Sequence, residues 1–361
     1  MSYLRHMTAK KIVWICLGLV SMGLKTFLSP GWIEQYYSRG FFKIVRWVID
    51  GIFGWLPFPL LYLFVPLMIW WGIKTFRDFW KWSAPRGKKA ISAFSSLAAF
   101  VFGGIFLFLL MWGFNYGRVP LEDSLGITVK PVSKEALWEE LQEETAEIIR
   151  LRKMIPGVTD SALTADFLPP NLEDHLRTNL VGALHREQLP ATGTVRAPFI
   201  YPKGIFLRFS SSGLYFPYTG QGQVDGGLHP LQWPYVITHE MGHGYGFGDE
   251  GTCNFLAWWA CSRSADPAIA YMGRLAYWRT LAANNIAYDR DKYFAFRETL
   301  PPGIIADLDA INENLLAYPD IMPKLRYYAY DSYLKAQGID EGIKNYNRVI
   351  MLVRGWKERR E

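Results

Sequence analysis

The sequence predicts a membrane protein with N-terminal α-helical transmembrane segments followed by a mainly α (α+β) extracytoplasmic domain. Three observations predict it: uncharged apolar runs of 22 and 24 residues at 52–73 and 91–114, a basic excess confined to the segments around them, and amphipathic segments after residue 115. Each run is long enough to cross the roughly 30 Å hydrocarbon core as a helix. Half of the 361 residues are hydrophobic and 20% are charged, which excludes a disordered or low-complexity chain. Cys16, Cys253 and Cys261 are too few and too scattered for a disulfide framework.

The first apolar stretch, 12–28, carries Lys25 near its end, where a long side chain reaches the interface. A cleaved signal peptide is the alternative for this stretch. The lack of a clear small-residue cleavage site, and two later spans in need of a partner helix, favour a retained span. Pro57, Pro59 and Pro66 should kink the second span, which membrane helices tolerate where neighbours satisfy the freed carbonyls. Between the second and third spans, residues 74–89 hold Lys74, Arg77, Lys81, Arg86, Lys88 and Lys89 against Asp78, and the N-terminus adds Arg5, Lys10 and Lys11. Both segments should face the cytoplasm. The loop 29–51, with Arg39, Lys43 and Arg46 offset by Glu34 and Asp50, then lies outside, and three crossings place everything after residue 115 outside. The net charge of +6 divides accordingly, with 13 bases and 3 acids in residues 1–115 and 26 bases and 30 acids in residues 116–361. The excess is a topology signal toward the lipid bilayer, and a short loop between spans is a poor groove binder, so nucleic acid is not an expected partner.

In the domain 116–361, residues 133–153 begin with Ser133 as an N-cap and space Leu137, Leu141, Ile148 and Leu151 as one face of a helix, its glutamates forming a solvated face. Two β-prone runs in 204–219 flank Ser-Ser-Ser-Gly and read as a hairpin. Helical patterns follow near 233–245, 250–263, 267–285, 303–318, 324–336 and 341–356.

The chemistry lies in residues 238–254, THEMGHGYGFGDEGTCN. His239, Glu240 and His243 form H-E-x-x-H, in which two imidazoles four apart on a helix meet on one face and can bind one Zn²⁺, with Glu240 beside the open position. The preceding run PYVIT implies a buried helix, where two histidines that bind nothing would be costly. Two acids compete as third ligand. Asp249 stands six residues after His243 beyond a turn at Gly246, but it also precedes a helix and would cap it. Glu250 opens that helix four residues before Asn254, a spacing that lets Glu250 bind the metal while Asn254 orients a ligand histidine, and it is the favoured choice. Cys253 is a possible soft ligand but suits a helix core better. The segment Gly213 to Thr219 can act as an edge strand that holds an extended peptide or packs as an ordinary hairpin, and His229, Tyr245, Tyr346 and Arg348 are oxyanion-stabilising candidates by residue type.

These residues carry a family resemblance. PGWIEQYYSRGFFKIVRWV, PFPLLYL, WGFNYGRVPLEDSLGI, GLYFPYTG, HEMGHGYGF, DEGTCNFLAWWAC and YLKAQGIDEGIKNYNRVI resemble the bacterial membrane family labelled DUF3810, which is described as zinc-metallopeptidase-like, and the likeness covers nearly the whole chain. The resemblance implies a zincin-like (gluzincin-like) domain in the bacterial cytoplasmic membrane, with His239 and His243 as zinc ligands, Glu240 as catalytic residue, and Glu250 with Asn254 as acidic ligand and helper. The chain departs from the family's E-x-E-A-N pattern at Thr252 and Cys253, which removes a second acid but leaves Asp249 and Glu250 as alternatives. The expected function is zinc-dependent hydrolysis of extracytoplasmic protein or peptide. The alternative is a non-catalytic zinc-binding membrane scaffold or sensor.

Overall fold

The computed structural model describes residues 2–359; the Arg5 side chain falls outside the described residues. The protein is mostly helical, with 70% of residues in helices and one small sheet. It divides into two compact units, one comprising the described residues up to Val119 together with Phe216–Gly220, the other Pro120–Tyr215 and the described residues from Gln221 onward.

In the first unit, helix Ser2–Phe27 packs on helix Arg86–Met111. Lys11 bonds Ser92 and Ser95, Gly18 lies against the backbone of Phe102, and Lys25 sits over the Tyr116 ring, so the two run parallel. Among the described residues, Arg86–Met111 is one helix long and apolar enough to cross a membrane. A second crossing is counted only if Ala9–Phe27 and Pro30–Phe53, bent by 113° at their junction, form one span.

Two expectations need correction here. The stretch 29–51 is not a loop: it continues through Pro30–Trp32, a π-helical segment Ile33–Phe41, and helix Phe42–Phe53. Nor is 52–73 one helix. Phe53 ends one helix and Leu61 starts the next, which runs to Lys81 and takes in Lys74, Arg77 and Asp78. Pro57 and Pro59, lacking N–H donors, fall in the non-helical break, whereas Pro66 is accommodated inside Leu61–Lys81. Arg46, 1% exposed, donates to the Gly220 carbonyl at 2.6 Å and to Asp50 at 2.5 Å, and Phe64 packs edge-on against Phe216. Burial of that guanidinium is tolerable because a charge partner and a carbonyl meet it.

In the second unit, Ser133 caps helix Lys134–Lys153 by accepting from Ala136 N–H at 3.1 Å. The face expected to be solvated is partly buried: Glu140 and Glu144 are 2% and 0% exposed. Helix Pro267–Tyr288 covers them, with Tyr277 donating to Glu140 at 3.2 Å and Arg274 to Glu144 at 2.8 Å. Helix Leu172–Arg186, which the sequence reading missed, contributes the fully buried Leu176, Leu180, Ala183 and Leu184 to the same core.

The sheet has the order β1-β3-β2, with β1 (Phe199–Ile200) parallel to β3 (Gln221–Asp225) and Phe199 opposite Val224, so β2 (Gly213–Phe216) is an edge. The hairpin expected around Ser-Ser-Ser-Gly is shifted. Residues Leu207–Phe209 form a 3-10 turn, the serines lead into β2, and the reversal falls at Pro217–Gly220. The returning strand Gln221–Asp225 is buried throughout, with Gln221, Gln223 and Asp225 on one face and Gly222 and Val224 on the other, so polar side chains fill a buried face that the sequence pattern assigns to solvent. Of the later helices, 341–356 divides into a 3-10 segment Gly342–Asn347 and helix Arg348–Glu358.

Candidate metal centre

Helix Trp233–Gly244 carries His239, Glu240 and His243, all at least nine-tenths buried. The helix must stop soon after His243 for the chain to return to it. Gly246 supplies this turn at φ +87°, a conformation open to glycine, and Phe247 N–H then closes onto the Gly242 carbonyl at 3.2 Å. The same reversal aims the Phe247 carbonyl at His243 Nδ1, 2.8 Å away.

Asp249 begins the next helix, Glu250–Cys261, by accepting from Thr252 N–H at 2.6 Å; it also accepts from Asn345 at 2.7 Å and pairs with Arg348 at 3.2 Å. Its carboxylate is spent on the cap. Glu250 instead faces the motif helix, with Oε2 at 3.2 Å from His239 Nε2 and 3.4 Å from His243 Nε2, while the two Nε2 atoms are 3.1 Å apart. His239, His243 and Glu250 form a group able to hold a metal ion, their ligand atoms all within 4.8 Å of one another.

Hydrogen bonding around the rings decides which nitrogen faces the cluster. Asn254 Nδ2 donates to the Tyr346 carbonyl at 3.2 Å, which turns its Oδ1 to His239 Nδ1 at 2.9 Å. Each ring therefore donates from Nδ1, His239 to Asn254 and His243 to Phe247, and leaves Nε2 as a lone pair. Two nitrogen lone pairs and a carboxylate oxygen then converge in a buried space, an arrangement that repels itself unless a cation sits among them.

Glu240, one residue along, lies close enough to His239, His243 and Glu250 to feel their charges. Its Oε2 is buried with no hydrogen-bond partner, and burial, with Glu250 adding to it and the imidazoles opposing, lifts the carboxyl to about 7. The sheet lies directly over this side chain: a Cβ on Gly213 would come within 2.5 Å of Glu240 Oε1, and one on Gly222 within 2.6 Å of Glu240 Cβ. Glycine at these strand positions is what lets β2 and β3 approach the helix.

Of the other candidates, Tyr346 reaches the site, its ring stacked parallel to His239 at 6.3 Å. The remaining three are occupied elsewhere: His229 accepts from Leu231 N–H, Tyr245 donates to the Gly193 carbonyl at 3.5 Å, and Arg348 pairs with Glu122 and Asp249. Cys253 packs behind His243, donating to the Phe247 carbonyl at 3.3 Å, and burial pushes its thiol up to about 11, so it is a core residue on the side away from the Nε2 atoms. The sequence reading missed Tyr330, whose hydroxyl donates to Glu250 Oε1 at 2.8 Å. It lies 80 residues from its partner in a tyrosine-rich helix without a motif, and no local signal marks it.

Fold and site together define a largely helical protein with a buried two-histidine, one-carboxylate group and at least one apolar helix of membrane-spanning length. The chain belongs to the family described as protein of unknown function (DUF3810), which matches residues 37–354 and bears out the family named from the sequence, though not its metallopeptidase-like description. No curated protein and no solved structure matches it.

Proposed function

We propose that this chain is a membrane-anchored zinc metallopeptidase that hydrolyses peptide bonds of extracytoplasmic protein or peptide substrates. The observation that carries the reading is the unpartnered, buried Glu240 carboxyl beside three converging ligand atoms and beneath an edge strand. Two imidazole nitrogens and one carboxylate oxygen suit Zn²⁺ and match the three-ligand sets that leave a fourth position open for chemistry. His239, His243 and Glu250 would hold the ion, which supplies Lewis-acid polarisation and a water acidified toward neutral pH.

The chain's own residues do the rest. Glu240 Oε2 accepts the proton of the water whose oxygen bonds to the carbonyl carbon, then delivers it to the amine nitrogen as the C–N bond breaks. β2 is an outer strand of the sheet, a position from which a strand can pair with an extended backbone and present it along the sheet. Anchoring rests on Ser2–Phe27, Leu61–Lys81 and Arg86–Met111 as a multi-pass segment in the bacterial cytoplasmic membrane, the parallel first and last helices requiring a return crossing between them. The basic residues of 74–89 keep that segment inside and leave the second unit outside.

The test is metal content and peptide cleavage by the full chain in detergent, wild type against Glu240→Gln. Equal zinc with cleavage lost in the variant is expected. Cleavage retained by Glu240→Gln overturns the proposal.

A further inference from the structure

The site is completed by side chains from the far end of the sequence, on helix Pro323–Ala336 and the 3-10 segment Gly342–Asn347. The Tyr330 hydroxyl donates to Glu250 Oε1 at 2.8 Å, so the carboxylate turns one oxygen to the phenol and the other, Oε2, to the imidazoles. A phenol has a single proton, and that of Tyr330 is committed to Glu250. In the 3.2 Å contact between the Tyr330 and Tyr346 hydroxyls, the donor is therefore Tyr346.

Tyr346 is held independently of that contact. Its ring lies parallel to the His239 imidazole, and its carbonyl accepts from Asn254, the amide that orients His239. Its hydroxyl stands close enough to sense the charges of both Glu250 and Glu240. Tyr330 is fixed on the Glu250 carboxylate at 2.8 Å, whereas the Tyr346 hydroxyl lies between Tyr330, at 3.2 Å, and that carboxylate, so it can turn to an incoming oxygen while Glu250 keeps the Tyr330 bond. His229, Tyr245 and Arg348 have no such freedom toward the cluster.

We propose that the phenols divide two tasks: Tyr330 is a positioning residue that holds Glu250 as a one-oxygen ligand, and Tyr346 donates a hydrogen bond to the scissile carbonyl oxygen as negative charge develops on it. The Tyr346 half rests on the peptidase reading of the site; the Tyr330 half requires only that a metal binds.

The experiment uses the full chain in detergent, with Tyr330→Phe, Tyr346→Phe and the donor-restoring variants Tyr330→His and Tyr346→His. Zn²⁺ affinity is measured by competition with a chromophoric chelator, ligand geometry by the absorption spectrum of Co²⁺-loaded protein, and kcat and KM on a fluorogenic peptide that the wild type cleaves. Tyr330→Phe is expected to weaken Zn²⁺ binding by about 10- to 100-fold and to alter the Co²⁺ spectrum. Tyr346→Phe should leave affinity, spectrum and KM unchanged while kcat falls by about 100- to 1,000-fold. The histidine variants should recover part of each loss. Unchanged affinity and spectrum in Tyr330→Phe overturn the positioning role, and unchanged kcat in Tyr346→Phe overturns the donor role. A wild type that binds zinc and cleaves no peptide overturns the peptidase reading and the Tyr346 role with it, while Tyr330 is still judged on affinity.

Discussion

Single residues in this protein act through what burial does to their charge. Glu144 is the clearest case outside the metal centre: desolvation raises its carboxyl above the ordinary 4.5 even though Arg274 donates to it at 2.8 Å and opposes the shift, while Glu140 adds repulsion. The folded state then binds a proton that the unfolded state has already released. Stability from this group is full below 4.5 and is lost as pH rises through the folded value. The slope is bounded by one proton, about 1.4 kcal/mol per pH unit. Thermal melts of Glu144→Gln across that window should show a shallower decline than wild type, and parallel curves would count against it. Asp249 and Glu250 show the complementary lesson. Adjacent in sequence with the same charge, they separate because the first residue before a helix is the one whose oxygen reaches the N–H of Thr252. Spacing alone cannot choose between them; the direction of the cap does.

At the level of elements, the site depends on how closely a strand pair lies on the motif helix. Residues 213 and 222 admit no Cβ without displacing Glu240, so Gly213→Ala should shift that carboxyl or lift β2. Zinc stoichiometry should be unchanged, because Glu240 is not one of the three converging ligand groups, and cleavage should fall by roughly tenfold or more, on the order of what a misplaced reacting group costs. Equal cleavage rates in Gly213→Ala and wild type would refute the strand's part. The element pattern was legible where a proline in the first turn marks the helix start, as for Trp233–Gly244, Pro267–Tyr288 and Pro302–Leu316. It was illegible where polar side chains are buried. Gln221–Asp225 alternates, but one of its buried faces is made of Gln221, Gln223 and Asp225, and Glu140 and Glu144 sit on a face that charge alone assigns to solvent. The break at Pro57 and Pro59 illustrates a third limit, since a proline predicts a disturbance without saying whether the helix bends or ends.

On the scale of the whole molecule, metal and fold should be linked. Removing a cation leaves two nitrogen lone pairs and a carboxylate facing one another inside the core, so chelation should lower the melting temperature and zinc should restore it. Free zinc at a hundred times its dissociation constant contributes about 2.7 kcal/mol. An identical melt with and without chelator, in protein shown by metal analysis to load and unload, would remove this linkage.

What the sequence determined by itself is local and periodic: the histidine pair one helical turn apart, the carboxylate and amide spaced four apart on the next helix, the apolar length of Arg86–Met111, and family membership. These follow from helix geometry and from the cost of charge in an apolar medium, which act on neighbours along the chain. The tertiary structure alone decided which acid faces the imidazoles, that Tyr330 and Tyr346 meet Glu250, and that Glu240 lies under two glycines. Each of those is a contact between segments tens of residues apart. Its geometry depends on the packing of whole elements, which no local pattern encodes.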